Sequence, residues 1–115
     1  MSFPNEQNRA AAAIPVWIAG AGGIGYAAIG YEQITSLGSA TGLTVPANAI
    51  YAILQAEAQV LRYRDDGTDP TASVGMMLYP GGSFTYNADL TAIKFIQADS
   101  GGILNVLYYG VAGLP

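Results

Sequence analysis

The sequence predicts an all-β fold, an antiparallel β-sandwich of jelly-roll type with an extended N-terminal arm. Three observations lead there. From Gln33 onward, short apolar runs arrive every 8–12 residues or so, the spacing of sandwich strands. Between the runs stand clusters of Gly, Pro, Asn and Asp, the residues that tight turns demand. Half of the chain is hydrophobic (51%) and only 10% is charged, which leaves ample apolar side chain to bury and little charge to solvate a loose chain. At 115 residues one core is expected. The arm is assigned to residues 1–30 and the sandwich to 31–115.

The elements follow in order. "QITSL" (33–37) and "LTVP" (43–46), separated by "GSATG", are spaced as a hairpin. In "IYAILQAEAQVLRYR" (50–64), Ile50, Ala52, Leu54 and Ala56 share one face, opposite Gln55, Glu57 and Gln59. Further on, Leu61 and Tyr63 oppose Arg62 and Arg64, so the apolar parity switches near Ala58, as at a bulge or a corner between two strands. Strand is the preferred reading. A helix over 48–60 is the alternative, since the segment is rich in Ala, Leu, Glu and Gln and Asn48 is a suitable cap. "DDGTDP" breaks regular structure, "TASVGMML" (71–78) reads as a strand and "YPGGS" as a turn. "FTYN", "LTAIKFIQA" and "ILNVLYYG" complete seven or eight strands, a jelly-roll-sized number.

The arm contains two patterns with other readings. Gly20, Gly22 and Gly25 fall into the G-x-G-x-x-G register of a dinucleotide-binding turn. That motif requires a following helix and an acidic residue about 20 positions on. The segment after Gly25 instead carries Gly30, Ile34, Thr35 and Gly38, and the acid's place falls at Val45 and Pro46. The match is read as chance. Residues 10–31 also hold no charge over 22 positions, long enough for a membrane span, yet five are Gly, one is Pro15 and none is Leu. No basic leader of a secretory signal precedes it, because Glu6 and Arg9 cancel. An arm that lies against a neighbour is the preferred reading, with Phe3, Trp17 and Tyr26 as its interface anchors.

Composition narrows the chemistry. The chain has no Cys and no His, which removes disulfides, thiolates and the commonest general base and metal ligand. A net charge of −4 with four basic residues argues against nucleic acid as a partner. Outside one turn the carboxylates Glu6, Glu32, Glu57, Asp89 and Asp99 are spread singly, so no paired-carboxylate site is expected. No enzyme activity and no cofactor are expected. Within "RYRDDGTDPT", Asp65, Asp66 and Asp69 with the Thr68 hydroxyl are the weak calcium candidate, an oxygen-rich loop that departs from EF-hand order. The preferred reading is a structural turn: Arg62 and Arg64 neutralise Asp65 and Asp66, Gly67 supplies a positive φ, and Pro70 opens the next turn. Tyr86, Tyr108 and Tyr109 are weighed as a sugar-binding face against their commoner place in a core or an interface.

"VLRYRDDGTDPTASVGMML", then "GGSFTYNADLTAIKFIQ" and the closing "ILNVLYYG", resemble small structural proteins of tailed bacteriophages. Those proteins often carry a comparable R-x-R-D-D-G-x-x-P-T-A-x-x-G block ahead of a Gly-Gly turn and a final L-N-V-x-[YF]-Y strand. The resemblance covers about residues 43–110, and Arg62 to Gly75 is its most specific part. It implies a virion component such as a capsid cement or decoration subunit, homo-oligomeric, whose partners are the major capsid protein and copies of itself. The alternative is a fibre or tail sandwich that binds a host-surface glycan. Neither nucleic acid nor membrane is expected among the partners.

Overall fold

The computed structural model describes residues 25–113, and among them it has eight strands and no helix. In chain order they are β1 (Tyr26–Ile34), β2 (Thr41–Gly42), β3 (Tyr51–Glu57) and β4 (Leu61–Arg64). The second half holds β5 (Met76–Leu78), β6 (Ser83–Tyr86), β7 (Lys94–Gln97) and β8 (Ile103–Val111). They form two four-stranded antiparallel sheets, ordered β1-β8-β3-β6 and β2-β7-β4-β5. Contacts set Ala28–Gly110 apart as one unit, and the described residues 25–27 and 111–113 belong to a second. In the second unit, the Ala112 N–H donates to the Gly25 carbonyl at 2.9 Å.

The first unit is sandwich-like, and its core follows from strand alternation. In the first sheet Ala52, Leu54 and Ala56 of β3 stand opposite Tyr108, Val106 and Leu104 of β8, and all six are buried. On the other side of β3, Phe84 and Tyr86 pair with Leu54 and Ala52 and pack against the same core. The second sheet contributes Leu61, Leu78 and Phe95, and Leu37, Leu90 and Ile93 come from the connections. Tyr63 of β4 stacks on Phe84 of β6 at 4.9 Å and meets Phe95 of β7 at 5.4 Å, so one aromatic cluster joins the sheets. Each fully buried large side chain stabilises the fold by roughly 1.5–3 kcal/mol.

The parity switch near Ala58 is a corner. β3 ends at Glu57 in one sheet and β4 begins at Leu61 in the other. Ala58 has φ 73°, and the Gln59 N–H donates to the Glu57 carbonyl at 2.9 Å, which closes a three-residue turn. The helical alternative for 48–60 is therefore replaced by strand. Asn48, its suggested cap, instead takes φ 71°, a conformation that asparagine tolerates better than most residues.

Four expectations are corrected. Residues 33–37 and 43–46 do not form a hairpin: β1 lies in one sheet, and β2 pairs with β7 in the other through Thr41–Phe95 and Gly42–Lys94. Local spacing suggested the hairpin, but burial of Leu37 turns the chain into the opposite sheet. The β region begins at Tyr26 and not at Gln33, so β1 takes in residues 26–30 of the expected arm. That strand also occupies the place where a dinucleotide turn needs its helix. Residues 71–78 are strand only at Met76–Leu78, because Thr71 and Val74 close a small loop on each other first. Ile50 is exposed and precedes β3, so it does not extend the buried row.

Candidate functional site

The Arg–Asp block forms the loop between β4 and β5, and its charges are shared out pairwise. Arg64 Nε and Nη2 donate to the two carboxylate oxygens of Asp66 at 3.0 and 2.6 Å. The hydrogen bonds from Arg64 hold the Asp66 carboxyl below the usual carboxylate range, and the pair raises the arginine in turn. Asp65 accepts the Tyr86 hydroxyl at 2.6 Å. Asp69 pairs with Lys94 at 3.1 Å. The three carboxylates of the calcium candidate thus turn to three different partners, and among the described residues no group of acids is arranged around a cation position. Thr68 contributes its backbone N–H to Asp66 at 3.4 Å.

Arg62 has a different task from its neighbour. Its Nε donates to the Ala72 carbonyl at 3.2 Å and its Nη1 to the Gly75 carbonyl at 2.9 Å, which ties the loop back onto β4. Gly75 has φ 143°, and a Cβ there would meet Arg62 Cβ, Pro70 Cβ and the Tyr63 carbonyl, each at 3.2 Å. Buried Pro70 and half-buried Gly75 therefore let the loop close tightly under the arginine. Gly67 is at φ 87° with open space around it, as the turn reading requires.

Beside this loop lies a hollow of about 290 Å³ lined by Arg64, Asp65, Asp66, Val74, Gly75 and Met76. Two of its lining residues, Val74 and Met76, belong with Met77 and Tyr79 to a run of large exposed side chains; Met76 and Met77 lie on β5, the edge of its sheet, and Val74 and Tyr79 flank that strand. The sequence reading missed this run. Its signal was the pair Met76–Met77 beside a glycine, apolar residues in a stretch from 70 to 88 with no charge at all.

A second hollow, about 240 Å³, lies beside β1 and is lined by Gly30, Tyr31, Glu32, Thr44, Pro46 and Tyr108. Glu32 Oε2 accepts the Tyr108 hydroxyl and the Thr44 N–H, the latter at 2.8 Å. Burial, reinforced by the Glu32 carboxylate, pushes the Tyr108 phenol well above its ordinary range. Burial likewise raises Tyr86, with Asp65 adding to it.

The tyrosines weighed as a sugar face do not share one. Tyr108 is buried in the core with its hydroxyl on Glu32, and Tyr86 lines the same interior, bonded to Asp65. Tyr109, next in the strand, turns to the outer face and stacks on Tyr51 at 4.9 Å with the rings parallel. That outer face carries instead a polar row. Asn105 Oδ1 accepts from Tyr31 at 2.8 Å and Gln33 at 3.0 Å, and its Nδ2 donates to Glu57 at 2.9 Å. Asn105 was visible in sequence as the one polar residue of its run, but its partners are 48 to 74 positions away.

Of the expected arm anchors, Phe3 and Trp17 lie outside the described residues, and Tyr26 opens β1 with an exposed side chain. No family model, characterised protein or solved structure matches the chain.

Proposed function

We propose that the chain is a structural virion protein of a tailed bacteriophage, a capsid cement or decoration subunit that works by contact between subunits. The observation that carries this reading is the pairing of a low-charge sandwich with large exposed apolar side chains, Val74, Met76, Met77 and Tyr79, at a sheet edge. Exposed apolar groups of that kind serve as contact surfaces. The polar clusters of the β4–β5 loop hold the loop together, each carboxylate engaged by its own partner. The reading makes the chain a non-enzyme located in the virion, with the major capsid protein and copies of itself as partners. The strand order 1-8-3-6 and 2-7-4-5 supports the finer fold reading. Successive strands alternate between the sheets except at β4–β5, as in two interleaved Greek keys of a jelly roll. The part of the expected arm that precedes β1 acts in this reading as an arm over neighbouring subunits.

One observation favours the second reading, a fibre or tail module binding a host glycan. The Tyr31, Gln33, Asn105, Glu57 row beside Tyr51 and Tyr109 sets amides, hydroxyls and rings on one sheet face, the groups that hold sugars. Stoichiometry by quantitative mass spectrometry of purified particles separates the two. Tens to hundreds of copies per particle fit a cement subunit, a handful fit a tail module, and none would sink both.

A further inference from the structure

The β4–β5 loop contains a peptide bond that is chemically reactive in its own right. An aspartyl carboxyl is open to attack by the backbone nitrogen of the next residue, most of all where that residue is glycine and no side chain crowds the nitrogen. Among the aspartates only Asp66 is followed by glycine. Asp69 precedes Pro70, which has no N–H, and Asp89 precedes Leu90, whose bulky side chain is buried. Asp99 precedes the small Ser100 and is the nearest comparison.

Sterically, little protects the bond. Asp66, Gly67 and Thr68 are all exposed, and nothing lies within 4 Å of the place that a Cβ on Gly67 would take. The Thr68 N–H donates to Asp66 Oδ1 at 3.4 Å, so the carboxyl is already folded back along the Gly67 peptide. Arg64 is what opposes the reaction. Its Nε and Nη2 take one carboxylate oxygen each, at 3.0 and 2.6 Å. To be attacked, the carboxyl must gain a proton, leave the guanidinium and turn toward the Gly67 nitrogen, and each of these changes breaks the two-pronged contact. The same contact holds the carboxyl below the usual carboxylate range, which favours the ionised form, a poor electrophile. Arg64 is anchored in turn: it sits on β4 opposite Lys94 of β7, with its side chain half-buried.

We propose that the Asp66–Gly67 peptide is a site of spontaneous conversion to isoaspartate, and that the grip of Arg64 on both oxygens of Asp66 holds this reaction back. The Gly67 nitrogen bonds to Asp66 Cγ, and the carboxyl hydroxyl leaves with the amide hydrogen as water, closing a succinimide ring. Water then opens the ring. Breaking the Cγ–N bond restores aspartate. Breaking the bond between the Asp66 carbonyl carbon and the Gly67 nitrogen leaves isoaspartate, in which the chain runs on through Cβ and Cγ. No electrons are exchanged, and the mass of the chain is unchanged. The product lengthens the loop by one backbone atom and moves the free carboxylate onto Cα, so Arg64 loses the partner it was placed to hold. The inference goes beyond the subunit reading and concerns the loop alone, whichever assembly the chain enters.

The test follows isoaspartate in the full-length parent, Arg64→Gln and Arg64→Lys, warmed at neutral pH for several weeks with circular dichroism confirming the fold. Isoaspartate is counted by enzymatic carboxyl methylation and located by peptide fragmentation, with Asp99–Ser100 as the internal reference. At position 66, Arg64→Gln should gain isoaspartate about threefold faster than the parent or more, and Arg64→Lys, which cannot grip both oxygens, should fall between them. The rate at Asp99 should stay the same. The parent held in urea, where the contact is lost, should also convert at 66 faster than the folded parent, a comparison that needs no variant. Equal rates at 66 in the parent and Arg64→Gln, or a folded parent that converts as fast as it does in urea, overturn the inference. So does an equal rise at Asp99, which is general loosening, or the absence of isoaspartate at 66 from every sample. Particle stoichiometry is read separately, and neither result bears on the other.

Discussion

Replacing Tyr108 by Phe tests the tie between the core and the β1 edge with the loss of one oxygen. The ring of Tyr108 is 1% exposed and sits in the buried row of β8, where Phe fills the same space. What disappears is the hydroxyl that donates to Glu32. Glu32 then keeps the hydrogen bond from the Thr44 N–H. A hydrogen bond to a charged group contributes about 1.5–3 kcal/mol, and the carboxylate left behind regains some hydration through the adjoining hollow. A net loss of about 2 kcal/mol is expected. For a domain of this size that corresponds to a fall in Tm of roughly 8–16 °C. Urea unfolding followed by circular dichroism measures it, with Glu32→Gln and the double variant completing a cycle. The coupling between the two positions should be about 1 kcal/mol or more. A Tyr108→Phe change within 0.5 kcal/mol of the parent, or additive single variants, on a scale of roughly that uncertainty, would refute the reasoning.

Further expectations concern the turn, the alkaline limb and one buried glycine. Gly67→Ala should cost about 1 kcal/mol through its positive φ alone, since nothing crowds the site, while added chelator leaves Tm unchanged; a chelator-induced fall reversed by calcium would restore the metal reading. Tyr86 and Tyr108 stay protonated in the folded chain beyond the pH where an unfolded tyrosine ionises. The folded state therefore binds more protons there. Stability is full below about pH 10 and falls as pH rises past it. Denaturant midpoints measured from pH 8 upward check this, and Tyr108→Phe should flatten the slope. Gly110→Ala should be far worse than Gly67→Ala, by about 1–3 kcal/mol or outright misfolding, because its Cβ would lie 2.6 Å from the Asn48 carbonyl; expression and melting of the two variants side by side decide it.

Alternation and turn chemistry, both local, were enough to read much of this chain. The parity change between Ala56 and Leu61 marked the corner at Ala58, because side chains on a strand alternate whatever the strand pairs with. Gly67 was legible for the same reason, since a positive φ is a property of the residue and its immediate neighbours. Pairing was not legible. The spacing of 33–37 and 43–46 suits a hairpin, and only the burial of Leu37 and the partnership of Thr41 with Phe95 send the two segments into different sheets. The same holds for the sites. Proximity in sequence tied Arg64 to Asp66, but Arg62 went to backbone carbonyls, Asp65 to Tyr86 and Asp69 to Lys94. Glu32 looked like a solitary surface acid until the fold set Tyr108, 76 positions away, against it. Which strands form edges, and so which apolar residues stay exposed, is decided by sheet order. Sheet order depends on contacts between distant segments, and those contacts leave no mark in the pattern of any one segment.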